Sequence, residues 1–238
     1  MIAIRHAADR GVSHYDWLDS RHSFSFGCYR DARWPGFSAL RVHNEDRVDS
    51  VGGFPTHSHR DMEIISYVLD GALKHRDSTG GSLTLMPGEL QLMSAGAGIA
   101  HSEENASLVD PVHFLQIWIV PDRIGNVPGY QQKALDGAAL RAGFTTVAAP
   151  AGESAPFVIQ QDARLAIAWS AAGQHHRLTL NPRRSYYLHV ARGEVMAERY
   201  ALAGGDALML IEESGLDVRV HADSELLLFD LPGSVQRP

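Results

Sequence analysis

The sequence predicts an all-β protein with two similar antiparallel domains, each a barrel or a sandwich. Short apolar runs separated by Gly, Pro, Asn and Asp recur along most of the 238 residues, which is typical of strands joined by tight turns. No helical periodicity interrupts these runs in the first half. The strand pattern of the first half recurs in the second, and the length suffices for two domains that each bury a core.

The predicted strands of the N-terminal region are short. Residues 23–26 and 39–43 alternate between apolar and polar side chains, and residues 34–37 form a Pro-Gly turn between them. Gly52 and Gly53 then precede His57. This order is typical of a loop that delivers side chains to the start of a strand.

A β-hairpin is predicted next. Residues 63–69 form a β-rich run that ends at Asp70-Gly71, a strong hairpin turn signal, so residues 72–77 are expected to return as the second strand. Further strands with the same spacing of turns are expected at residues 82–86, 90–93 and 113–120.

The expected domain junction lies between residues 121 and 156, where the composition changes to Gly, Pro, Gln and Ala. Residues 134–142 are the best candidate for a short helix. We therefore divide the chain into an N-terminal domain of residues 1–130 and a C-terminal domain of residues 131–238. Strand patterns restart after the junction, at residues 157–159, 164–169 and 177–180.

Two pairs of metal-capable side chains lie at strand spacing: His57 with His59, and His101 with Glu103. In a strand, residues i and i+2 project from the same face, so each pair can point into one domain interior. On neighbouring strands the pairs would offer three neutral imidazoles and one carboxylate to a single ion. An octahedral ion would then keep a position open, which a catalytic site requires.

A competing interpretation treats these histidines as surface or core residues that alternate by chance, because the chain contains 13 histidines. The second pair, which also follows turn signals, favours a metal site. The carboxylate ligand is less certain, since Glu63 lies at an even offset from His59 and would share its face in a continuous strand. The residues alone therefore allow either Glu103 or Glu63.

An internal repeat predicts one ion per chain. Residues 186–195 match residues 65–73, with Gly193 on Gly71, and two later segments match in the same order. The second copy carries other residues at the four candidate ligand positions, namely Thr179, Asn181, Val218 and Val220. We therefore expect the C-terminal domain to be metal-free.

Other reactive residues give weaker signals. Arg60, His75 and Asp77 are candidates for contacts behind the ligands, although a solvent-facing charge is the commoner fate of such residues. Cys28 has no charged or helix-terminal neighbour that would activate its thiol, so we expect a small buried residue. The sequence contains no phosphate-binding loop, serine nucleophile elbow or second cysteine, so no residues support nucleotide-binding, serine-hydrolase or zinc-finger functions.

The charge and the cysteine count exclude further classes. The 21 basic and 28 acidic residues give a formal net charge of −7, which gives nucleic-acid binding little electrostatic support. A single cysteine cannot form an intrachain disulfide, which favours the cytosol. The first ten residues carry charges where a secretory signal needs an apolar core, and apolar runs are strand-sized. We expect a cytoplasmic protein with no membrane segment.

Several motifs together resemble the pirin family of the cupin superfamily, in its bacterial quercetinase-like branch. The resemblance covers nearly all of the N-terminal half, whereas the C-terminal half is matched by the strand pattern and by residues 161–164. The chain has His-Ser-His at residues 57–59 where relatives often carry His-Pro-His, a change that touches no ligand. The motifs are Ser20-Arg-His-Ser-Phe-Ser-Phe26, residues 36–46, residues 57–71, His75-Arg-Asp-Ser78, Pro87-Gly88 and Gly98-Ile-Ala-His-Ser-Glu103.

The resemblance implies a bicupin, two jelly-roll β-barrels that face each other, with one mononuclear metal in the N-terminal barrel. The family's ligands match His57, His59, His101 and Glu103, and Glu63 matches a glutamate that pirins leave uncoordinated. Fe(II) suits three imidazoles and a carboxylate, although Ni, Co, Mn, Cu and Zn could also occupy such a site. This resemblance favours Glu103 over Glu63 as the carboxylate ligand of the metal.

The resemblance also implies an activity, the oxygenolytic opening of a flavonol such as quercetin with loss of carbon monoxide. The partners would be the flavonol and dioxygen, and Glu103 could accept the proton of the flavonol 3-hydroxyl. The alternative is a non-enzymatic metal or redox sensor that binds a protein partner, as other pirins are thought to do. A monomer is expected in either case.

Overall fold

The structure is a computed structural model that describes residues 1–78 and 80–233. It is almost entirely β, as the sequence predicts. A 3-10 helix spans Ala7–Asp9, and the α-helix α1 spans Gly137–Ala142. The strands are β1 (Ile2–Arg5), β2 (Gly11–Tyr15), β3 (Leu18–His22), β4 (Leu40–Val48), β5 (Gly53–His59), β6 (Glu63–Asp70), β7 (Leu73–Asp77), β8 (Ser82–Leu85), β9 (Glu89–Ser94), β10 (Ile99–Asn105), β11 (Val112–Ile119), β12 (Gly129–Ala134), β13 (Thr145–Ala149), β14 (Phe157–Val158), β15 (Arg164–Ser170), β16 (His175–Thr179), β17 (Ser185–Ala197), β18 (Tyr200–Ala203), β19 (Ala207–Ile211) and β20 (Gly215–Leu231).

The first half of the chain forms two antiparallel sheets. A seven-stranded sheet has the order β12-β9-β6-β11-β4-β3-β2, and a four-stranded sheet has the order β5-β10-β7-β8. Successive side chains point to opposite faces of the larger sheet. One face of β6 and β11 therefore points into the first domain, and the other face packs against the second domain. The four-stranded sheet carries the two predicted ligand pairs, on β5 and β10.

The second half forms a nine-stranded sheet with the order β1-β19-β17-β20-β15-β13-β14, to which β16 and β18 are attached by pairing with β20 and β17. Register shifts in the long strands β17 and β20 interrupt the regular pairing. The order β19-β17-β20-β15 repeats the order β9-β6-β11-β4 of the first sheet. The internal repeat of the sequence is therefore a repeat of topology.

The N-terminal strand crosses between the two halves. β1 pairs with β19 of the nine-stranded sheet, and β12, which includes residue 130, pairs with β9 of the seven-stranded sheet. Division of the chain into domains at residue 130 stays a prediction. Within the described residues, no helix is long and apolar enough to cross a membrane.

A shared apolar core joins the two halves. It brings Tyr67 and Ile117 of the first sheet against Leu165 and Phe229 of the second, all fully or almost fully buried. A second cluster fills the nine-stranded sheet and contains Leu188, Val218 and Val220. The two valines that the repeat aligns with His101 and Glu103 thus lie among apolar side chains.

Three local predictions are wrong. The strand predicted at residues 23–26 does not form, because Ser25 bonds across a loop to the Asp31 carbonyl at 2.9 Å and β3 ends at His22. Cys28 follows Phe26 and Gly27 in a tight turn and is exposed, not buried. Helix α1 begins at residue 137, not 134, because the Asp136 side chain caps it by accepting from the Ala138 and Ala139 amides.

Two buried histidines meet between the two sheets. His43 of β4 and His189 of β17 are fully buried, with ring centroids 4.2 Å apart. Within the described part of the chain, none of their four ring nitrogens has a hydrogen-bond partner. Burial, assisted by the nearby Arg10 guanidinium, lowers the pKa of His43 to about 3 and that of His189 well below its usual value. Both rings are therefore neutral in the folded protein at neutral pH.

Candidate metal centre

Three histidines converge on the four-stranded sheet. β5 and β10 pair antiparallel, which places His57 directly opposite His101, and His59 lies two residues along the same strand as His57. One ring nitrogen from each of the three lies within 4.8 Å of the others. The ring centroids are 4.5 to 4.9 Å apart. The predicted alternation on β5 therefore brings both of its histidines to the one on β10.

Hydrogen bonds set the tautomer of His57. Its Nδ1 lies 2.8 Å from the Pro55 carbonyl oxygen, which can only accept, so Nδ1 carries the proton and Nε2 keeps a free lone pair. Burial lowers the pKa of His59 to about 4 and that of His101 to about 3. These neutral imidazoles are in the form that binds a metal.

A polar relay orients His101. His75 Nε2 donates to Asp77 Oδ2 at 3.0 Å, so the neutral His75 ring accepts at Nδ1. Gln91 Nε2 at 3.3 Å and His101 Nδ1 at 3.4 Å share that acceptor. This arrangement leaves His101 Nε2 with a lone pair. The atom is buried and has no hydrogen-bond partner among the described residues. A buried nitrogen without a partner beside two other free nitrogens fits a bound cation, which would satisfy it.

Glu103 lies next to this cluster and is 2% exposed. Its two carboxylate oxygens accept from Ser66 Oγ at 2.9 Å and from Gln116 Nε2 at 2.5 Å. A register shift between His101 and Glu103 displaces Glu103 along β10, and its ligand atom lies within 4.8 Å of those of His101 and His75. Burial raises the pKa of Glu103 to about 7, and a neighbouring divalent cation would favour the ionised form.

The relay behind His101 gives a testable expectation. Replacement of His75 by Gln removes the acceptor that orients His101, so we expect divalent metal to bind about 10- to 100-fold more weakly. Competition with a chromogenic chelator measures this affinity. His176→Gln is the matched control, because His176 lies in the second domain, where it bonds to Ser170. Equal metal affinity in the His75 variant and the wild type would refute the orienting role.

Glu63 does not join the cluster. β5 ends at His59 and β6 begins at Glu63 in a different sheet, with Asp61 between them at a φ of 52°. The continuous strand that would place Glu63 on the same face as His59 is therefore wrong. Glu63 instead accepts from Ser94 Oγ at 2.8 Å and from the Gln160 backbone amide at 3.2 Å. Arg60 is exposed.

The sequence reasoning missed the polar side chains that support the site. Ser66, Gln91 and Gln116 are buried polar residues within largely apolar strands. They line up with Asn44 and His22 across five neighbouring strands, because the register pairs each with the next. The signal in the sequence was a Ser or Gln flanked by apolar residues in the middle of a strand, since buried polar groups need partners.

A cavity of about 190 Å³ opens beside the candidate ligands and is lined by His57, His59 and Glu103. Phe26, Phe54 and Trp118 form its aromatic part. Trp118 packs edge-on against His59 at a centroid distance of 4.8 Å, and against Phe26 at 5.3 Å. Another part of the wall is polar and comes from β2, β3 and β4.

A larger cavity of about 590 Å³ lies elsewhere, between Trp169, Arg192 and neighbouring residues. None of the three converging histidines lines it. A large volume alone does not indicate a reaction site. The smaller cavity, in contrast, is lined by candidate metal ligands and by aromatic side chains. The smaller cavity is therefore the candidate reaction site.

Two domains with the same strand order, and a cluster of histidines with one carboxylate in the first of them, define a bicupin with a site for one divalent metal ion. The pirin family model matches residues 5–119, and the model of the quercetinase C-terminal cupin domain matches residues 146–231. A quercetin 2,3-dioxygenase of Escherichia coli (strain K12) is 39% identical over 233 residues, covering 98% of this chain and 99% of that protein. The chain belongs to the pirin family.

Other relatives agree with this assignment. A pirin-like protein of Caulobacter vibrioides is 36% identical over 221 residues, covering 92% of this chain and 95% of that protein. The crystal structure of YhhW from Escherichia coli superposes with a TM-score of 0.93 at 38% identity and covers 100% of both chains. The structure of bacterial pirin YhhW in complex with nickel(II) has a TM-score of 0.92 at 38% identity, covering 99% of this chain and 100% of that one.

Proposed function

We propose that this protein is a metal-dependent dioxygenase that opens the ring of flavonols such as quercetin. The observation that carries the proposal is the convergence of three imidazoles, two of which line an aromatic cavity together with a buried carboxylate. The relative named quercetin 2,3-dioxygenase, similar along nearly the whole chain, supports the same reaction.

His57, His59, His101 and Glu103 would hold the ion, which we propose to be Fe(II), with Ni, Co, Mn, Cu and Zn as alternatives. When bound, it would supply a Lewis-acidic charge for the flavonol oxyanion and the means to react with dioxygen. The nickel complex of YhhW supports a divalent ion in this fold. Three imidazoles and a carboxylate do not by themselves select the metal.

Glu103 is proposed as the base that takes the proton of the flavonol 3-hydroxyl. Burial raises its pKa to about 7, and a bound divalent cation would lower that pKa again, so the carboxylate is ionised and available to accept a proton. Ser66 and Gln116 hold its two oxygens in place while it does so. The carboxylate therefore has the position and the basicity for proton transfer without free rotation.

The aromatic side chains bind the flat faces of the substrate and exclude water. The cavity of about 190 Å³ is smaller than the pockets of about 300 to 1,000 Å³ that enclose drug-sized ligands. It therefore takes the reacting ring of a flavonol, while the other rings lie towards the mouth. Tyr15 and Cys28, both exposed, line that cavity and are placed to contact them.

Aerobic turnover of quercetin tests the proposal. Metal-free protein is reconstituted with one equivalent of each candidate ion, and the loss of quercetin absorbance is followed against the ion alone. We expect turnover with at least one ion and none with metal-free protein. Retained metal binding without turnover for any ion would contradict the proposal and favour the regulatory alternative.

A further inference from the structure

The polar wall of the reaction cavity consists of Ser13, Ser20, His22, Asn44 and Asp46. The antiparallel register places Ser13 opposite Ser20 and Ser20 opposite Asp46, in one row across β2, β3 and β4. His22 lies opposite Asn44 in the next row on the same face. The wall is therefore one patch of neighbouring strands that faces the cavity containing the candidate ligands.

The members of the wall are hydrogen-bonded to one another, and four of the five are buried. Ser20, His22, Asn44 and Asp46 are each 2 to 3% exposed. Ser20 Oγ donates a short hydrogen bond to Asp46 Oδ1, and His22 Nδ1 lies 2.9 Å from Asn44 Oδ1. His22 Nε2 then accepts from Ser13 Oγ at 2.8 Å. Side chains held in this way are preorganised for a ligand.

Two polar groups of the wall are left without a protein partner. Within the described residues, Asp46 Oδ2 and the Asn44 Nδ2 amide make no hydrogen bond. Both residues line the cavity, so these two groups are open to a ligand there, and a ligand that buried them without hydrogen bonds would bind less well. A ligand that carries oxygen substituents would satisfy both groups, whereas an apolar ring would bury them unpaired.

We propose that Asp46 and Asn44 form a second polar contact for the substrate, which hydrogen-bonds a ring hydroxyl other than the 3-hydroxyl beside the metal ligands. This inference rests on the proposed flavonol reaction and narrows its substrates to polyhydroxylated aromatic compounds. Ser20 and His22 are positioning residues in this arrangement, because they act on the substrate through Asp46 and Asn44.

The test compares two ligands that share the 3-hydroxyl. Quercetin carries further ring hydroxyls, and 3-hydroxyflavone lacks them. Their dissociation constants are measured by calorimetry with metal-loaded protein in the absence of oxygen, so the result does not depend on turnover. We expect the wild type to bind quercetin about 10-fold more tightly, the value of one or two hydrogen bonds.

Asp46→Ala is expected to bring the ratio of the affinity for quercetin to the affinity for 3-hydroxyflavone close to one, mainly by weakening quercetin binding. The isosteric Asp46→Asn is expected to keep part of the preference. Ser20→Ala, which removes only the support of Asp46, is expected to lower the ratio less and serves if Asp46→Ala does not fold. Ser170→Ala, a change at a buried serine of the second domain, is the matched control and should leave the ratio unchanged.

The outcomes separate this inference from the proposed reaction. A ratio that falls in the Asp46 variant supports the polar contact even if no flavonol is turned over. Equal loss of affinity for both ligands would assign Asp46 a purely structural role and overturn the inference. Wild-type protein that shows no preference, or binds neither ligand, would overturn it as well, whatever the turnover assay gives.

Discussion

His101→Ala is expected to weaken divalent metal binding by at least about 100-fold, the upper end of the effect of losing one supporting contact. His101 offers a buried Nε2 with no other partner among the described residues, between the free nitrogens of His57 and His59. Its removal leaves two imidazoles and a more distant carboxylate. Turnover of quercetin should fall to the metal-free level.

Thermal or denaturant unfolding gives an independent measure of the same loss. An ion at about 100 times its dissociation constant stabilises the native protein by about 2.7 kcal/mol. The wild type should show this metal-dependent stabilisation, and His101→Ala should not. His175→Ala is the control, because His175 is a partly exposed histidine paired with Asp217 in the second domain. Metal-dependent stabilisation of the His101 variant equal to that of the wild type would contradict the assignment of this ligand.

The buried pair His43 and His189 is expected to make folding stability strongly dependent on pH. Both have a lower pKa in the folded protein than in the unfolded chain, where an imidazole titrates near 6.5. Below that value the unfolded chain binds protons that the folded protein excludes, so stability falls as pH falls. For each histidine, the free energy of unfolding should fall by about 2 kcal/mol between about pH 7.5 and about pH 5.

The double variant His43→Phe/His189→Phe isolates this effect. Neither ring nitrogen pair has a hydrogen-bond partner among the described residues, so an apolar ring of similar shape should be tolerated. Other groups also titrate: Arg10 and Glu45 act on the pair, and the raised pKa values of Asp46 and Glu103 destabilise the folded protein as pH rises. The difference between wild type and variant at each pH cancels the carboxyl contributions. A difference that does not change with pH would show that these rings are not kept neutral by folding.

The fold was predictable from the sequence because the relevant periodicities are local. Turn residues and period-two alternation locate most strands of the first half, and the match of Gly193 to Gly71 predicts the repeated strand order seen in β6 and β17. The alternation of His57 with His59 also depends only on strand geometry. These features need no knowledge of which strands are neighbours.

The rest of the site depends on long-range pairing. Glu63 was separated from the histidines by a change of sheet at Asp61, which alternation alone does not reveal. Asp46 and His22 reach the cavity because β3 lies between β2 and β4, and the exposed position of Cys28 depends on the turn at Phe26. Such neighbours follow from tertiary packing, so the residues next to the ligands are recognised only in the folded chain.

The carbon monoxide released per quercetin consumed is the most direct test of the proposed reaction. Quercetin is oxidised slowly by air, so loss of its absorbance alone does not identify ring opening. Reconstituted protein in a sealed aerobic vessel should release carbon monoxide in equimolar amount to the quercetin lost, and His101→Ala should release none above background. Quercetin loss without carbon monoxide, or no protein-dependent loss with any of the candidate ions, would contradict assignment of this site to flavonol ring opening.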